Sequence, residues 1–243
     1  MELLTLEELE LLRDFDTPTI CNAIEGFGVR GKTEGFTHPG LRQRVAWGER
    51  PMVGYARTGI ISAVNPPDPR HWDAMERYYA QYENFPFPQV AVIQDIDTVP
   101  VGSLWGDVQA TVHRALGCVG AITNGGVRDL KEVEKVGFYL HSREVLVSHA
   151  HVHLIESGTV VTVCGMTVRP GDLIHADYHG AIVIPAEIAK KIAGACKRAV
   201  EAEDALLNPC RRAIEAGRRV TAAEIMEWRR EMVEKRKLIS ADR

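Results

Sequence analysis

Apolar side chains recur at Leu6, Leu9, Leu12 and Phe15, the spacing of one helical face, and Thr5 with Glu8 supplies a capping box ahead of them. The pattern predicts a first helix over about residues 5–15. "TPTICNAIEGFG" predicts a second, short helix: Pro18 stands near its start, Ile20 and Ile24 are four apart, and glycines follow where it should stop. "MVGYARTGIISA" then reads as a strand and "NPPDPRHW" as a loop. "WDAMERYYAQYE" reads as a helix with Trp72, Met75 and Tyr79 on one side.

The middle of the chain alternates. "QVAVIQDI" has the continuous apolar character of a buried strand. "DVQATVHRALG" sets Val108, Val112 and Leu116 at helical spacing before the terminator Gly117, and "CVGAIT" is strand again, which makes a βαβ unit. From Phe138 to Pro185 the period shortens to β-branched runs punctuated by Gly165 and Pro170-Gly171, the pattern of paired strands. Helix returns in "AEIAKKIAGACKRAVEAEDALL", with Ile188, Ile192, Ala195 and Ala199 on one stripe, and in "TAAEIMEWRREMVEKR", opened by the capping box Thr221 and Glu224. The expected class is α/β, and no internal repeat or low-complexity segment interrupts it.

Composition narrows this further. A chain of 243 residues that is 45% hydrophobic and 26% charged can bury a sizeable core, expected here as one domain over 1–243 with helical extensions. The formal net charge of −4 gives no reason to expect nucleic acid or an anionic membrane as partner, and the basic stretch "RREMVEKRK" is interleaved with acids like a solvated helix face. Cys21, Cys118, Cys164, Cys196 and Cys210 lack C-x-x-C spacing, which speaks against a disulfide framework or a zinc knuckle. The acidic first residues have no basic leader, and no apolar run approaches the ~20 residues of a membrane span, so the expected setting is the cytoplasm, with free thiols.

Candidate chemistry concentrates in "GAITNGGVRDLKEVEKVG", where a strand gives way to a helix. Gly125 and Gly126 permit positive φ and close approach of the main chain, and the helix start presents unpaired N–H groups, a place for an anion. Arg128 adds a planar fork for a carboxylate; Asp129 adds a carboxylate of the kind that holds Mg²⁺. A plainer reading is that the two residues cap and pair at a helix start. Asp107, at the start of the preceding helix, shifts the balance, because successive helix starts in a βαβ unit lie at the same carboxyl edge of the sheet. Gly102, Ser103, Leu104, Trp105 and Gly106 form the loop before it, whose amides are expected to face the same substrate.

"GSLWGDVQATVHRALGCVGAITNGGVRDLKE" resembles the signature of the RraA-like proteins, which include 4-hydroxy-4-methyl-2-oxoglutarate aldolases and regulators of ribonuclease activity. "DTPTICNAIEGFG", "MVGYARTG", "QVAVIQDID" and "VTVCGMTVRPGDLIHADYHGAIVIP" extend the resemblance over most of residues 16–205, leaving a C-terminal helical extension at 206–243. The resemblance implies a swivelling β/β/α fold, assembled as a homotrimer or hexamer with the site between subunits. It implies that Arg128 binds the pyruvyl carboxylate or its enolate oxygen, that Asp129 ligates Mg²⁺ or Mn²⁺, and that Asp107 and Glu132 act through metal-bound waters. A carboxylate from the neighbouring subunit's C-terminal helix is also implied, with Glu203 the best match in "VEAEDALL" and Asp204 next. The activity implied is retro-aldol cleavage of a 4-hydroxy-2-oxo acid to pyruvate, with oxaloacetate decarboxylation at the same site; the alternative is a non-catalytic regulator.

A metal route needs no Schiff-base lysine, and Lys131 reads as a solvent-facing helix residue. A methyltransferase label carried by some members finds no glycine-rich nucleotide loop here. Three features depart from the family pattern. Asn124 stands where aspartate is commoner, and the aromatic segment "RHWDAMERYYAQYENFPFP" looks like an insertion that shapes the substrate pocket. His149, His151 and His153 alternate, so a strand would put all three on one face, either as a polar surface or as ligands for a transition metal.

Overall fold

The computed structural model describes residues 3–69 and 71–241. It opens with α1 (Leu6–Leu12), α2 (Thr17–Phe27), β1 (Arg42–Val45) and the long β2 (Met52–Ser62). Helix and strand then alternate: α3 (His71–Ala80), β3 (Gln89–Asp95), α4 (Asp107–Ala115), β4 (Cys118–Val127), α5 (Leu130–Val136) and β5 (Tyr139–Val145). Short strands follow: β6 (His153–Ser157), the hairpin β7 (Val161–Val163) and β8 (Met166–Val168), β9 (Leu173–Asp177) and β10 (Gly180–Ile184). The chain closes with α6 (Ala189–Glu215) and α7 (Ala222–Arg236).

The main sheet runs β1-β5-β4-β3-β2-β9-β10. Pairing is parallel from β2 through β5 and antiparallel elsewhere, and β2 is long enough to hold β9 along its first half and β6 along its second. The sheet is curled: the His141 ring on β5 lies 3.1 Å from the Asp177 carbonyl on β9, across strands that intervene in the order. Helices α1, α2 and α6 bury Leu9, Ile20, Ile24, Ile192 and Ala195 against β2 and β10. The helices between the parallel strands cover Ile93, Trp105, Val133, Phe138 and Leu140, while Val90, Val92 and Ile122 face Met166 and Ile174 inside the curl. Covered on both faces, β3 therefore reads as an unbroken apolar run rather than an alternation.

The predicted elements are present, with three differences. Helix α1 stops at Leu12, since Arg13 caps it, and Phe15 lies beyond the last turn. In α3 the buried side is Tyr78, continued by Tyr82, while Trp72 is exposed; in α4 the buried residues are Ala110 and His113, while Val108 faces out. Both reversals have one cause. The Tyr78 hydroxyl meets His113 Nε2 at 2.8 Å and the Trp105 and His113 rings lie 4.6 Å apart, so this polar-aromatic seam selects the faces that touch. Among the described residues, no helix is long and apolar enough to cross a membrane.

Candidate functional site

The carboxyl ends of β3, β4 and β5 meet the starts of α4 and α5, where the Arg128 and Asp129 side chains come together with the Asp107 backbone amide, while the Asp107 carboxylate accepts from the Thr111 hydroxyl at 3.4 Å on its own helix. Strand β4 extends through both glycines to Val127, and neither Gly125 nor Gly126 has positive φ. Their small size serves contact instead. A Cβ on Gly125 would sit 2.6 Å from Asp95 Oδ2, and one on Gly126 would enter the Leu146 side chain. The left-handed residue is Asp129 itself, at φ 54° and ψ 39°, the place where the chain turns from strand into α5.

That turn folds the Asp129 carboxylate back over the preceding loop. Oδ2 accepts the Asp107 backbone N–H at 3.2 Å and lies 3.5 Å from Arg128 Nε. Gly106 makes room for it, since a Cβ there would stand 2.5 Å from the same oxygen. The Arg128 N–H donates to the Trp105 carbonyl at 2.9 Å, and Trp105 bridges Val127 like one residue of an added strand. The Ser103 hydroxyl reaches the Trp105 and Gly126 carbonyls at 2.6 and 2.9 Å, and the Ser103 N–H donates to the Ser148 carbonyl. Ser103, Leu104 and Trp105 are thus buried supports for the loop, and the Ser103 and Asp107 amides are committed within the chain.

Two residues beneath the loop hold its base. The Asn124 side chain accepts the Asp95 N–H at 2.8 Å and donates to the Asp95 carbonyl at 2.7 Å, next to a register shift between Thr123 and Gly126. An aspartate could accept but not donate, so asparagine here joins β3 to β4 where the ladder breaks. Asp95 is 3% exposed, with Oδ1 accepting the Asp97 N–H and Oδ2 buried without a partner. Burial raises its pKa, opposed by the bond from the Asp97 amide. Asp97 in turn accepts from the Ser62 hydroxyl and the Ala63 N–H at 2.6 and 2.7 Å, tying the loop to β2. Sequence reasoning passed over Asp95; a carboxylate closing the apolar run "QVAVIQD" was the available signal.

The remaining predicted side chains take no part in those bonds. Glu132 is exposed in the first turn of α5. Glu203 is on α6, which packs on α1, α2 and α7, and it accepts from Arg236 Nη2 at 2.9 Å and from Asn22 Nδ2 at 3.5 Å; Asp204 pairs with Arg211. His153 alone of the three histidines lies in a strand, while His149 and His151 occupy the turn before β6, so the alternation does not set them on one sheet face. Among the described residues, no three His, Cys, Asp or Glu side chains converge as a metal cage. The carboxylate of Asp129, set over the start of α4, is the oxygen donor at this edge that could hold a cation. An apolar cavity of about 250 Å³ lies at the opposite, amino edge of the parallel strands, lined by Leu9, Arg13, Met52, Val119 and Tyr139, away from these carboxylates.

A family model described as RraA-like, Aldolase/RraA, matches residues 17–183. Over 180 residues, 73% of this chain and 78% of the relative, the sequence is 27% identical to a protein of Halalkalibacterium halodurans named "Putative 4-hydroxy-4-methyl-2-oxoglutarate aldolase". It is 28% identical over 102 residues to an uncharacterized protein of Methanocaldococcus jannaschii, of which that match spans about half (49%). Among solved structures, an uncharacterized protein from Pseudomonas syringae pv. tomato superposes with TM-score 0.68 at 22% identity, covering 94% of this chain and 95% of that one. Streptomyces coelicolor RraAS2, described as an unusual member of the RNase ES inhibitor RraA protein family, superposes with TM-score 0.64 at 22% identity, covering 84% and 96%. At these identities the structural likeness is one of fold.

Proposed function

This chain belongs to the RraA-like family and has its swivelling β/β/α fold; from that premise we propose that it is a divalent-metal-dependent lyase releasing pyruvate from a 4-hydroxy-2-oxo acid. The observation that carries the reading is the Asp129 carboxylate, turned by its left-handed backbone onto the Asp107 amide and set beside the Arg128 guanidinium. Mg²⁺ or Mn²⁺ suits this donor set, because each is held by one or two carboxylates and keeps several waters. Asp129 would hold it directly, with Asp107 and Glu132 acting through waters.

When bound, the cation supplies Lewis-acid stabilisation of the negative charge that develops on the 2-oxo acid fragment. The protein's own part is binding and orientation. Arg128 presents a planar fork to the substrate carboxylate, and its N–H bond to the Trp105 carbonyl fixes where that fork begins. Gly106 keeps the space over the Asp129 carboxylate open. The family resemblance implies that Glu203 serves a neighbouring copy's site in a trimer or hexamer; within its own chain it pairs with Arg236 and Asn22.

The test is pyruvate release from oxaloacetate and from 4-hydroxy-4-methyl-2-oxoglutarate, with Mg²⁺ and with EDTA. Turnover that requires the metal and falls at least about a hundredfold in Arg128→Ala and in Asp129→Ala is the expected result, the size of loss seen when a charge-stabilising group is removed. Turnover that persists in EDTA or in both variants removes the proposed site. No turnover of any 2-oxo acid by the wild type would favour instead a binding protein of the ribonuclease-inhibitor type.

A further inference from the structure

The cavity of about 250 Å³ at the amino edge of the parallel strands is built within one chain. Leu9 of α1, Met52 and Val53 of β2 and Tyr139 of β5 line it, and they are 2%, 1%, 4% and 2% exposed. Val119 of β4 and Trp47 of the loop between β1 and β2 line it too. Most of its wall is therefore core, drawn from one helix, three strands and a loop, and is not a surface face.

That loop is fastened on both sides of the cavity. On the α1 side, Arg50 pairs with Glu10 at 2.7 Å and with Asp14 at 2.8 Å. On the β5 side, the Tyr139 hydroxyl lies 2.6 Å from the Trp47 carbonyl and 2.8 Å from the Arg50 carbonyl. The Trp47 ring meets the Tyr139 ring edge-on, with centroids 6.4 Å apart. Arg114 stands 4.6 Å from the Trp47 ring and does not line the cavity.

The polar groups at the wall define what it can take. Arg13 has a partner on each nitrogen: Nε donates to the Pro51 carbonyl at 2.9 Å, Nη1 to the Glu10 carboxylate at 2.8 Å and Nη2 to the Tyr139 hydroxyl at 3.3 Å. With Arg50, Glu10 and Asp14 this makes two cations bound to two carboxylates, so the cluster offers an incoming ion no unbalanced charge. A charged ligand would leave water for an apolar wall without a partner, an unfavourable transfer. A hydrocarbon ring gains from the area it removes from water. Apolar cavities of about 150 Å³ stay dry and accept benzene, so this one has room for a substituted ring.

We propose that this cavity is a binding site for a neutral, apolar molecule of about one ring, separate from the Asp129 site. It forms whether or not the lyase reading holds.

The experiment titrates the full chain with toluene, benzoate and benzylammonium by calorimetry and follows tryptophan emission. The expected result is saturable binding of toluene, at least about tenfold tighter than either ion, because an unpaired charge is costly to desolvate. Val119→Phe and Leu9→Phe, which add bulk to the wall, should each weaken toluene at least about tenfold. Trp47→Phe should abolish the toluene-dependent change in emission, although Trp72, Trp105 and Trp228 remain. Absence of saturable binding overturns the proposal, as does binding of an ion as tight as that of toluene. Unchanged toluene affinity in the two enlarged variants also overturns it. Should neither of them fold, an emission change that survives Trp47→Phe places toluene elsewhere and decides against the cavity. Dissociation of the native assembly by toluene in light scattering would assign the cavity to a contact between copies, which likewise overturns the proposal.

Discussion

Asp129 combines a backbone role with a charge, and the two can be separated. Aspartate and asparagine tolerate the left-handed region better than most residues, so Asp129→Asn keeps the turn at φ 54° while removing the carboxylate. The expected outcome is a thermal midpoint equivalent to a change within about 0.5 kcal/mol, as for an exposed substitution, together with loss of metal-dependent pyruvate release. Gly106→Ala tests the same oxygen from the other side. Its Cβ would stand 2.5 Å from Asp129 Oδ2, so the carboxylate or the Asp107 amide must shift. Activity should fall at least about tenfold, since small misplacements at a reacting centre are costly, while far-ultraviolet circular dichroism stays that of the wild type. Full activity in Gly106→Ala would mean that the observed position of Asp129 is not the working one.

At the scale of elements, α3 and α4 are joined by a buried polar chain. His113 Nδ1 faces the Gln109 carbonyl at 2.7 Å, which only accepts, so Nδ1 carries the proton and Nε2 accepts from the Tyr78 hydroxyl. Tyr78 in turn lies 2.7 Å from the Tyr82 hydroxyl. Tyr78→Phe strands His113 Nε2 in the core, and the expected cost is about 1–3 kcal/mol, that of a buried group left unpaired, read by urea denaturation. Because α4 begins at Asp107 and Trp105 packs on His113, the same variant should also weaken Mg²⁺-dependent turnover more than a cap removal far from the site does. Thr221→Ala, which removes the α7 cap, supplies that comparison at about 1 kcal/mol of stability.

Across the whole molecule, three buried histidines set the response to acid. Burial holds His113, His141 and His175 at about 4, below the ordinary value of 6.5. Between those values the unfolded chain binds more protons than the folded one, so their contribution is complete above pH 6.5 and is lost as pH falls towards 4. Each ring is worth up to about 3 kcal/mol over that span, at 1.36 kcal/mol per unit. Asp95 and Asp172 act in the opposite sense, since burial raises their pKa values and their ionisation opposes folding as pH rises. Carboxylates ordinarily titrate well below pH 5, whereas the three rings would ordinarily protonate between pH 7 and pH 5, so the urea midpoint should fall steadily over that range. A midpoint constant over that range would show that the rings are solvated.

Much of this architecture is written locally. The capping boxes at Thr5 and Thr221, the unbroken apolar run of β3, and the Ile192, Ala195, Ala199 stripe of α6 with Ile188 at its cap are each set by near neighbours, so the sequence alone determined them. That the start of α4 and the start of α5 share one edge was also legible, because βαβ connectivity brings successive helix starts together, and the Asp107 amide meets the Asp129 carboxylate there. What faces what was not. Trp72 and Tyr78 are equally aromatic, and only the ring of His113 on another helix chose Tyr78 for the interior. The glycines of "NGGVRD" looked like the left-handed residues, yet contacts from Asp95 and Leu146 use their missing side chains, and the positive φ passes to Asp129. The loops before α4 and after β5 are far apart in the chain, and only the backbone bonds from Leu146 to Val127 and from Ser103 to Ser148 bring them together beside Arg128. Periodicity records which residues avoid water; tertiary contacts, acting between segments remote in sequence, decide which partner each one meets.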